Sequence, residues 1–209
     1  MSAQIQNIVT SGTFSLDGGT WEVDNNVWII GNQDEVFVID PAHEPAKILE
    51  VVGNRAVKAV LLTHGHDDHI RYAREFADLV EAPIHLNPAD TMLWENVFPG
   101  TTADHEITDG QEFEVAGTTL VALHTPGHSP GSTCFYVESL GTLFSGDTLF
   151  NGGPGATGRS YSSFETIIDS IRERLLTLPA STVVNTGHGD ATTIGAEAPN
   201  LDEWIKRGH

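Results

Sequence analysis

Three imidazoles and a usable carboxylate fall within six residues in His64-Gly65-His66-Asp67-Asp68-His69. They follow Val60-Leu61-Leu62, an apolar run with strand character. A strand that ends in a tight, ligand-rich turn fixes a metal more rigidly than a free loop does. Further along, His128, Asp147 and His188 each stand beside glycine, in Pro126-Gly127-His128, Gly146-Asp147-Thr148 and Gly187-His188-Gly189. Glycine there lets the backbone turn sharply and approach a metal centre. Neutral imidazole and carboxylate suit zinc, iron or manganese. With Cys134 as the only cysteine, a sulfur-based structural zinc site is excluded. A catalytic zinc takes three protein ligands and leaves a position for water. Five histidines and two aspartates are enough for two such sets sharing one carboxylate. Two ions about 3.5–4 Å apart can hold a bridging hydroxide and clamp a polarised oxygen.

These residues need strands and helices to carry them. Residues 12–16 and 20–23, around Gly18-Gly19, read as a hairpin, with further strands at 27–30 and 36–39. Helical spacing over 44–52 leads to a strand at 59–62; a helix over 70–79 follows the ligand turn, then a short strand at 83–86 and a helix over 88–97. The second half opens with strands at 112–115 and 118–123, around Ala116-Gly117, and continues with 132–137 and 142–145. An amphipathic helix over 164–176 is closed by Pro179, and a last strand at 182–185 precedes a terminal helix over 198–206. No linker or low-complexity stretch divides the chain, so residues 1–209 are expected to form one domain.

Composition narrows the function. With 209 residues, 39% hydrophobic and 19% charged, a globular α/β domain with a sizeable core is expected. A formal net charge of −19, with ten basic residues thinly spread, argues against nucleic acid as a partner. The start Met1-Ser2-Ala3-Gln4-Ile5 has neither a positive n-region nor an apolar h-region, and no run approaches a membrane span. With a single cysteine, a cytoplasmic protein that engages no membrane is the expectation. Cys134 alternates with strand residues and reads as a small core side chain.

The ordered pattern His-x-His-x-Asp-His, then His, Asp and His in separate loops, resembles the metallo-β-lactamase-fold hydrolase superfamily. Asp40, ending the early apolar run Val36-Phe37-Val38-Ile39, is similar to the family's first motif, so the resemblance runs from about residue 25 to 190. It implies a four-layer αββα sandwich with the ligands on loops at one edge. It further implies one metal on His64, His66 and His128, a second on Asp68, His69 and His188, Asp147 bridging, and Asp40 anchoring the ligand loop. Each motif alone is commonplace: His-x-His is often a surface pair and Gly-Asp-Thr an ordinary turn. The ordered set is not explained that way.

Within the superfamily the chain most resembles compact, single-domain glyoxalase II-like proteins (hydroxyacylglutathione hydrolases). Thr125-Pro126-Gly127-His128-Ser129-Pro130-Gly131-Ser132 and Gly146-Asp147-Thr148-Leu149-Phe150 carry that likeness. The bridging Asp147 disfavours a β-lactamase, and only 21 residues follow His188, too few for the helical region of two-domain members. The resemblance implies hydrolysis of a small acyl thioester by two divalent ions, zinc in the first instance with iron or manganese as alternatives. A metal-bridging hydroxide would attack, with Asp68 orienting it and taking its proton. Rival readings are a mono-iron persulfide dioxygenase-like enzyme, a lactonase of the same fold, and a non-catalytic metal-binding protein.

After the bridging aspartate comes a glycine-rich loop, residues 151–161, carrying Arg159 and Tyr161. Arg can grip a carboxylate with two parallel hydrogen bonds, so this pair is the candidate for the substrate's acidic portion, against the alternative of a local cap. Asp67 is expected to orient a neighbouring imidazole. His124 either supports His128 or is a hydrogen-bonded strand residue. His43, His85, His105 and His209 read as structural or surface residues.

Overall fold

The computed structural model describes residues 3–208. Strands β1 (Gln4–Leu16) and β2 (Gly19–Gly31) form a long antiparallel hairpin, and β3 (Glu35–Ile39) pairs antiparallel with β2. Helix α1 (Pro45–Val52) then crosses to β4 (Ala56–Leu61), parallel to β3. The short helix α2 (Asp67–Ile70) and α3 (Ala73–Val80) lead to β5 (Ile84–Leu86), and α4 (Thr91–Val97) to β6 (His105–Glu106). These six strands make the first sheet, in chain order.

The second sheet takes β7 (Glu112–Val115), β8 (Thr118–His124), β9 (Thr133–Val137) and β10 (Thr142–Gly146) as an antiparallel meander. A two-stranded ribbon, β11 (Leu149–Phe150) with β12 (Gly153–Pro154), and helix α5 (Phe164–Ser170) connect it to β13 (Val183–Thr186), parallel to β10. Strand β14 (Thr192–Thr193), α6 (Ile194–Glu197) and α7 (Leu201–Arg207) close the chain.

Side-chain alternation explains the layering. Phe37, Ile39, Ala59 and Leu61 face Leu120, Ala122, Phe135 and Phe144 across the space between the sheets. Their neighbours Val36, Val38 and Val60 point the other way, under Ile48, Phe76 and Trp94 of the first helical layer. Cys134, Leu143 and Val184 likewise pack under Ile167, Ile171 and Trp204. Strands buried on both faces read as unbroken apolar runs, which is why β3 and β4 were legible. The architecture is the αββα sandwich, and Cys134 is a buried core residue whose thiol is pushed up to about 11 by burial.

Several boundaries differ from those expected. The expected strands at 20–23 and 27–30 are one strand, with Asp24-Asn25-Asn26 paired opposite Ser11, Thr10 and Val9. The helix expected over 70–79 starts at Asp67, where two acidic residues favour a helix N-terminus, and breaks at Arg71-Tyr72 before α3. The helix over 164–176 loosens into a π-helical turn at Ile171–Leu175. The terminal helix divides at Pro199, which cannot donate to the preceding turn. His209 lies outside the described residues.

Candidate metal centre

The ligand turn is held from below by Asp40. It ends β3 in a left-handed conformation (φ 50°), which a short acidic side chain tolerates. Its carboxylate accepts from Thr63 N at 2.8 Å, Thr63 Oγ1 at 2.6 Å and His69 Nδ1 at 2.9 Å. With Nδ1 so committed, His69 turns Nε2 inward. The same device recurs. His128 Nδ1 donates to Ala156 O at 2.8 Å, His188 Nδ1 to Asp24 O at 2.7 Å, and His64 Nδ1 lies 3.1 Å from Thr63 Oγ1. Anchoring one ring nitrogen fixes the tautomer and leaves the other for a cation.

The inward atoms form two sets, His64 with His66 and His128, and Asp68 with His69 and His188. In the first, His66 Nδ1 is 2.9 Å from His128 Nε2, and His64 Nε2 is buried with no hydrogen-bond partner. In the second, His188 Nε2 is 3.2 Å from both Asp68 Oδ2 and His69 Nε2. Bonds of about 2.0–2.1 Å to a tetrahedral zinc leave ligand atoms about 3.3 Å apart, so these are the separations a shared ion requires. Asp147 reaches both sets: its Oδ1 is 3.4 Å from His69 Nε2, and its Oδ2 is 3.5 Å from both His188 Nε2 and His128 Nε2. Asp40, His64 and His69 are also close enough to make a third set, but the Asp40 carboxylate is already occupied by its three donors.

Glycines carry Asp147 and His188 into position. Gly146 has φ 50°, and a Cβ on Gly187 would collide with the Asp147 carboxylate. Burial pushes His64 well below the usual imidazole range and His66 down to about 3, so both rings stay neutral donors. Burial would also lower His188 and raise Asp68. Asp147 outweighs it for His188, which is held up to about 10, and His69 and then His188 outweigh it for Asp68, held at about 2. The carboxylates are ionised, as cation ligands must be.

Two further side chains brace the site. Buried Asp90 accepts from Gly65 N at 2.8 Å, Ser129 Oγ at 2.7 Å and Gly131 N at 2.6 Å, clamping the first ligand turn to the His128 loop. Asn26 donates from Nδ2 to Thr186 O at 3.1 Å and Gly189 O at 2.9 Å, fixing the His188 loop to β2. Neither was singled out in the sequence. Asn25-Asn26 inside a strand is the one signal that was available, since Asn is depleted there. Asp90, in Pro88-Ala89-Asp90, gave none.

Above the ligands lies a cavity of about 460 Å³, walled by Phe14, Trp21 and Val23 of the hairpin and by Ala156 and Arg159. The Arg159 guanidinium lies 4.0 Å from the Trp21 ring centroid and 5.6 Å from that of Phe14. Asp17, at the hairpin tip, accepts from Ser160 N at 3.1 Å and Ser160 Oγ at 2.7 Å. Tyr161 is not brought to the cavity: it is absent from the walls and is 55% exposed. Asp67 orients no imidazole. As the first residue of α2 it points back to the hairpin, accepting from Ser15 N at 2.9 Å and pairing with Arg71. His124 Nε2 donates to Pro130 O, 2.8 Å away, in the loop that follows His128. His43 is buried against Gly12 and Tyr72, and His85 stacks with His105.

Residues 20–188 match the family model described as the metallo-beta-lactamase superfamily. The chain belongs to that superfamily. It is 36% identical over 180 residues to a probable metallo-hydrolase, YqgX, of Bacillus subtilis, covering 79% of this chain and 85% of that protein. It is 33% identical over 175 residues to the hydroxyacylglutathione hydrolase GloC of Haemophilus influenzae, covering 77% of this chain and 82% of that one. Among solved structures, TTHA1623 in a di-iron-bound form superposes with a TM-score of 0.73 at 31% identity, covering 84% of this chain and 93% of that one. The B3 metallo-beta-lactamase BLEG-1 gives 0.78 at 28%, covering 91% and 97%. The chain is thus a member of a metallo-hydrolase superfamily with a His/Asp cluster suited to divalent metal ions. No helix among the described residues is long and apolar enough to cross a membrane.

Proposed function

We propose that the protein is a binuclear metal-dependent hydrolase that cleaves a small acyl thioester of a low-molecular-weight thiol. The carrying observation is the contact of Asp147 with both ligand sets, beneath a cavity walled by Phe14, Trp21, Val23 and Ala156 and by one cation, Arg159. Similarity to the hydroxyacylglutathione hydrolase GloC supports the thioester class. His64, His66 and His128 would hold one ion, Asp68, His69 and His188 the second, and Asp147 would be shared. Such ions, when bound, acidify water to near neutrality and polarise a carbonyl oxygen.

The chain's own residues then divide the remaining work. Arg159 grips the carboxylate of the thiol carrier, its N–H edge left free by stacking on Trp21. Phe14 and Trp21 exclude water from the acyl end. Asp68 orients the attacking water and accepts its proton. Water adds to the carbonyl carbon, the carbon–sulfur bond breaks, and a carboxylic acid and a thiol are released. We assign the protein to the cytoplasm, where such thiols are kept reduced.

The test is initial-rate hydrolysis of S-lactoylglutathione by protein loaded in turn with zinc, iron and manganese. Thiol release in step with thioester loss is expected. Oxygen uptake with a persulfide, or turnover only of a lactone or a β-lactam, would replace the assignment.

A further inference from the structure

Asn25 lies midway along β2 and is completely buried. Its Nδ2 stands 3.2 Å from Asp68 Oδ2, 3.3 Å from His69 Nε2 and 3.4 Å from His188 Nε2. Those three atoms lie 3.2 Å (Asp68–His188), 3.2 Å (His69–His188) and 3.6 Å (Asp68–His69) from one another. The four atoms are therefore corners of a nearly regular tetrahedron. Its centre is about 2.0 Å from every corner, the length of a bond from nitrogen or oxygen to zinc.

A carboxamide has two ends of equal shape, exchanged by a half-turn about χ2. Here Nδ2 donates to Asp68 Oδ2, and Oδ1 is buried with no hydrogen-bond partner. Once a cation lies among Asp68, His69 and His188, the N–H end faces like charge and the oxygen faces opposite charge. We propose that Asn25 turns its carboxamide oxygen onto the second ion and serves it as an additional ligand. The two positions then differ in kind. The first has three imidazoles and a share of Asp147, whereas the second adds oxygen from Asn25 and Asp68 to its own share. Oxygen donors favour harder ions, so the second position tolerates manganese or ferrous iron better than the first.

The inference rests on the two-ion reading but not on any substrate. Metal-free protein, Asn25→Asp and Asn25→Leu would each be titrated with cobalt(II), following the visible absorption of the bound ion and competition with a chelator. Asn25→Asp keeps an oxygen in place and should bind the second ion at least as tightly as the parent. Asn25→Leu should weaken it about tenfold or more while the first ion is unchanged. A second ion weakened equally in both variants would overturn the proposal, because a carboxylate can ligate but cannot donate to Asp68. Undiminished binding in Asn25→Leu would overturn it too, and Asn25→Asp decides alone if Asn25→Leu fails to fold. A parent protein that takes up one ion only would remove the second position, and this ligand with it, leaving thioester hydrolysis to be judged separately.

Discussion

Asp90→Asn is the perturbation that most directly probes how the ligand turns are held together. The carboxylate is fully buried, with Oδ2 taking Gly65 N and Ser129 Oγ and Oδ1 taking Gly131 N. Asparagine has one oxygen, so either Gly65 N–H or Gly131 N–H must face an NH2 group. Ser129 is the cheap partner to lose, since its hydroxyl can turn to Ser132 Oγ, 2.9 Å away. One orphaned buried donor costs about 1–3 kcal/mol. Part of that is returned, because burial already pushes the Asp90 carboxyl up and disfavours its charge. A net loss of about 2 kcal/mol lowers the melting temperature of a domain this size by about 4–8 °C. Gly65 separates two ligands and Ser129 follows a third, so the His64, His66 and His128 position should lose about 10–100-fold in metal affinity. Differential scanning calorimetry of the metal-free protein and chelator competition read the two effects. An unchanged melting temperature with affinity within about twofold would refute the clamp.

Three other outcomes are expected. Arg159→Ala should raise KM for a thioester bearing a carboxylate by about 10–100-fold, the worth of a charge-assisted hydrogen bond, with Tyr161→Phe inert; equal KM values would remove Arg159 from substrate binding. Asp147→Asn should lower metal content and kcat together by about tenfold or more, measured by elemental analysis beside steady-state rates. His85, pushed down to about 4 by burial and then by His105, stays neutral in the fold where the unfolded chain protonates. Its folded pKa is depressed, so stability is lost as pH falls from 6.5 towards 4. His85→Gln should gain about 1–2 kcal/mol on the parent between pH 7 and 5 in urea titrations, after allowance for the half-buried ring.

What the sequence made legible follows from where information is stored locally. The ligands are legible because a metal centre demands polar residues in tight turns, here beside glycine and, for the first cluster, directly after the apolar run Val60-Leu61-Leu62. The αββα layering is what the family resemblance implies, and the two β-rich halves, each followed by helices, fit it. Asn25 is hidden because a polar residue inside a strand looks like a break in the pattern, here at Asp24-Asn25-Asn26, where the strand in fact continues. Asp90 was hidden because its partners, Gly65 and Gly131, are far away in sequence. The breaks at Arg71-Tyr72 and in the π-helical turn depend on packing that no local propensity encodes. Arg159 was legible as a charge in a glycine-rich loop, but its stacking on Trp21 joins residues 138 positions apart and needed the fold.

Titration of the metal-free protein with zinc, reading thioester cleavage and bound metal in the same samples, tests the central claim most directly. Two equivalents should be needed for full S-acyl hydrolysis, with the rate rising as the second ion binds. Full activity with one ion, or with none, would contradict a binuclear hydrolase.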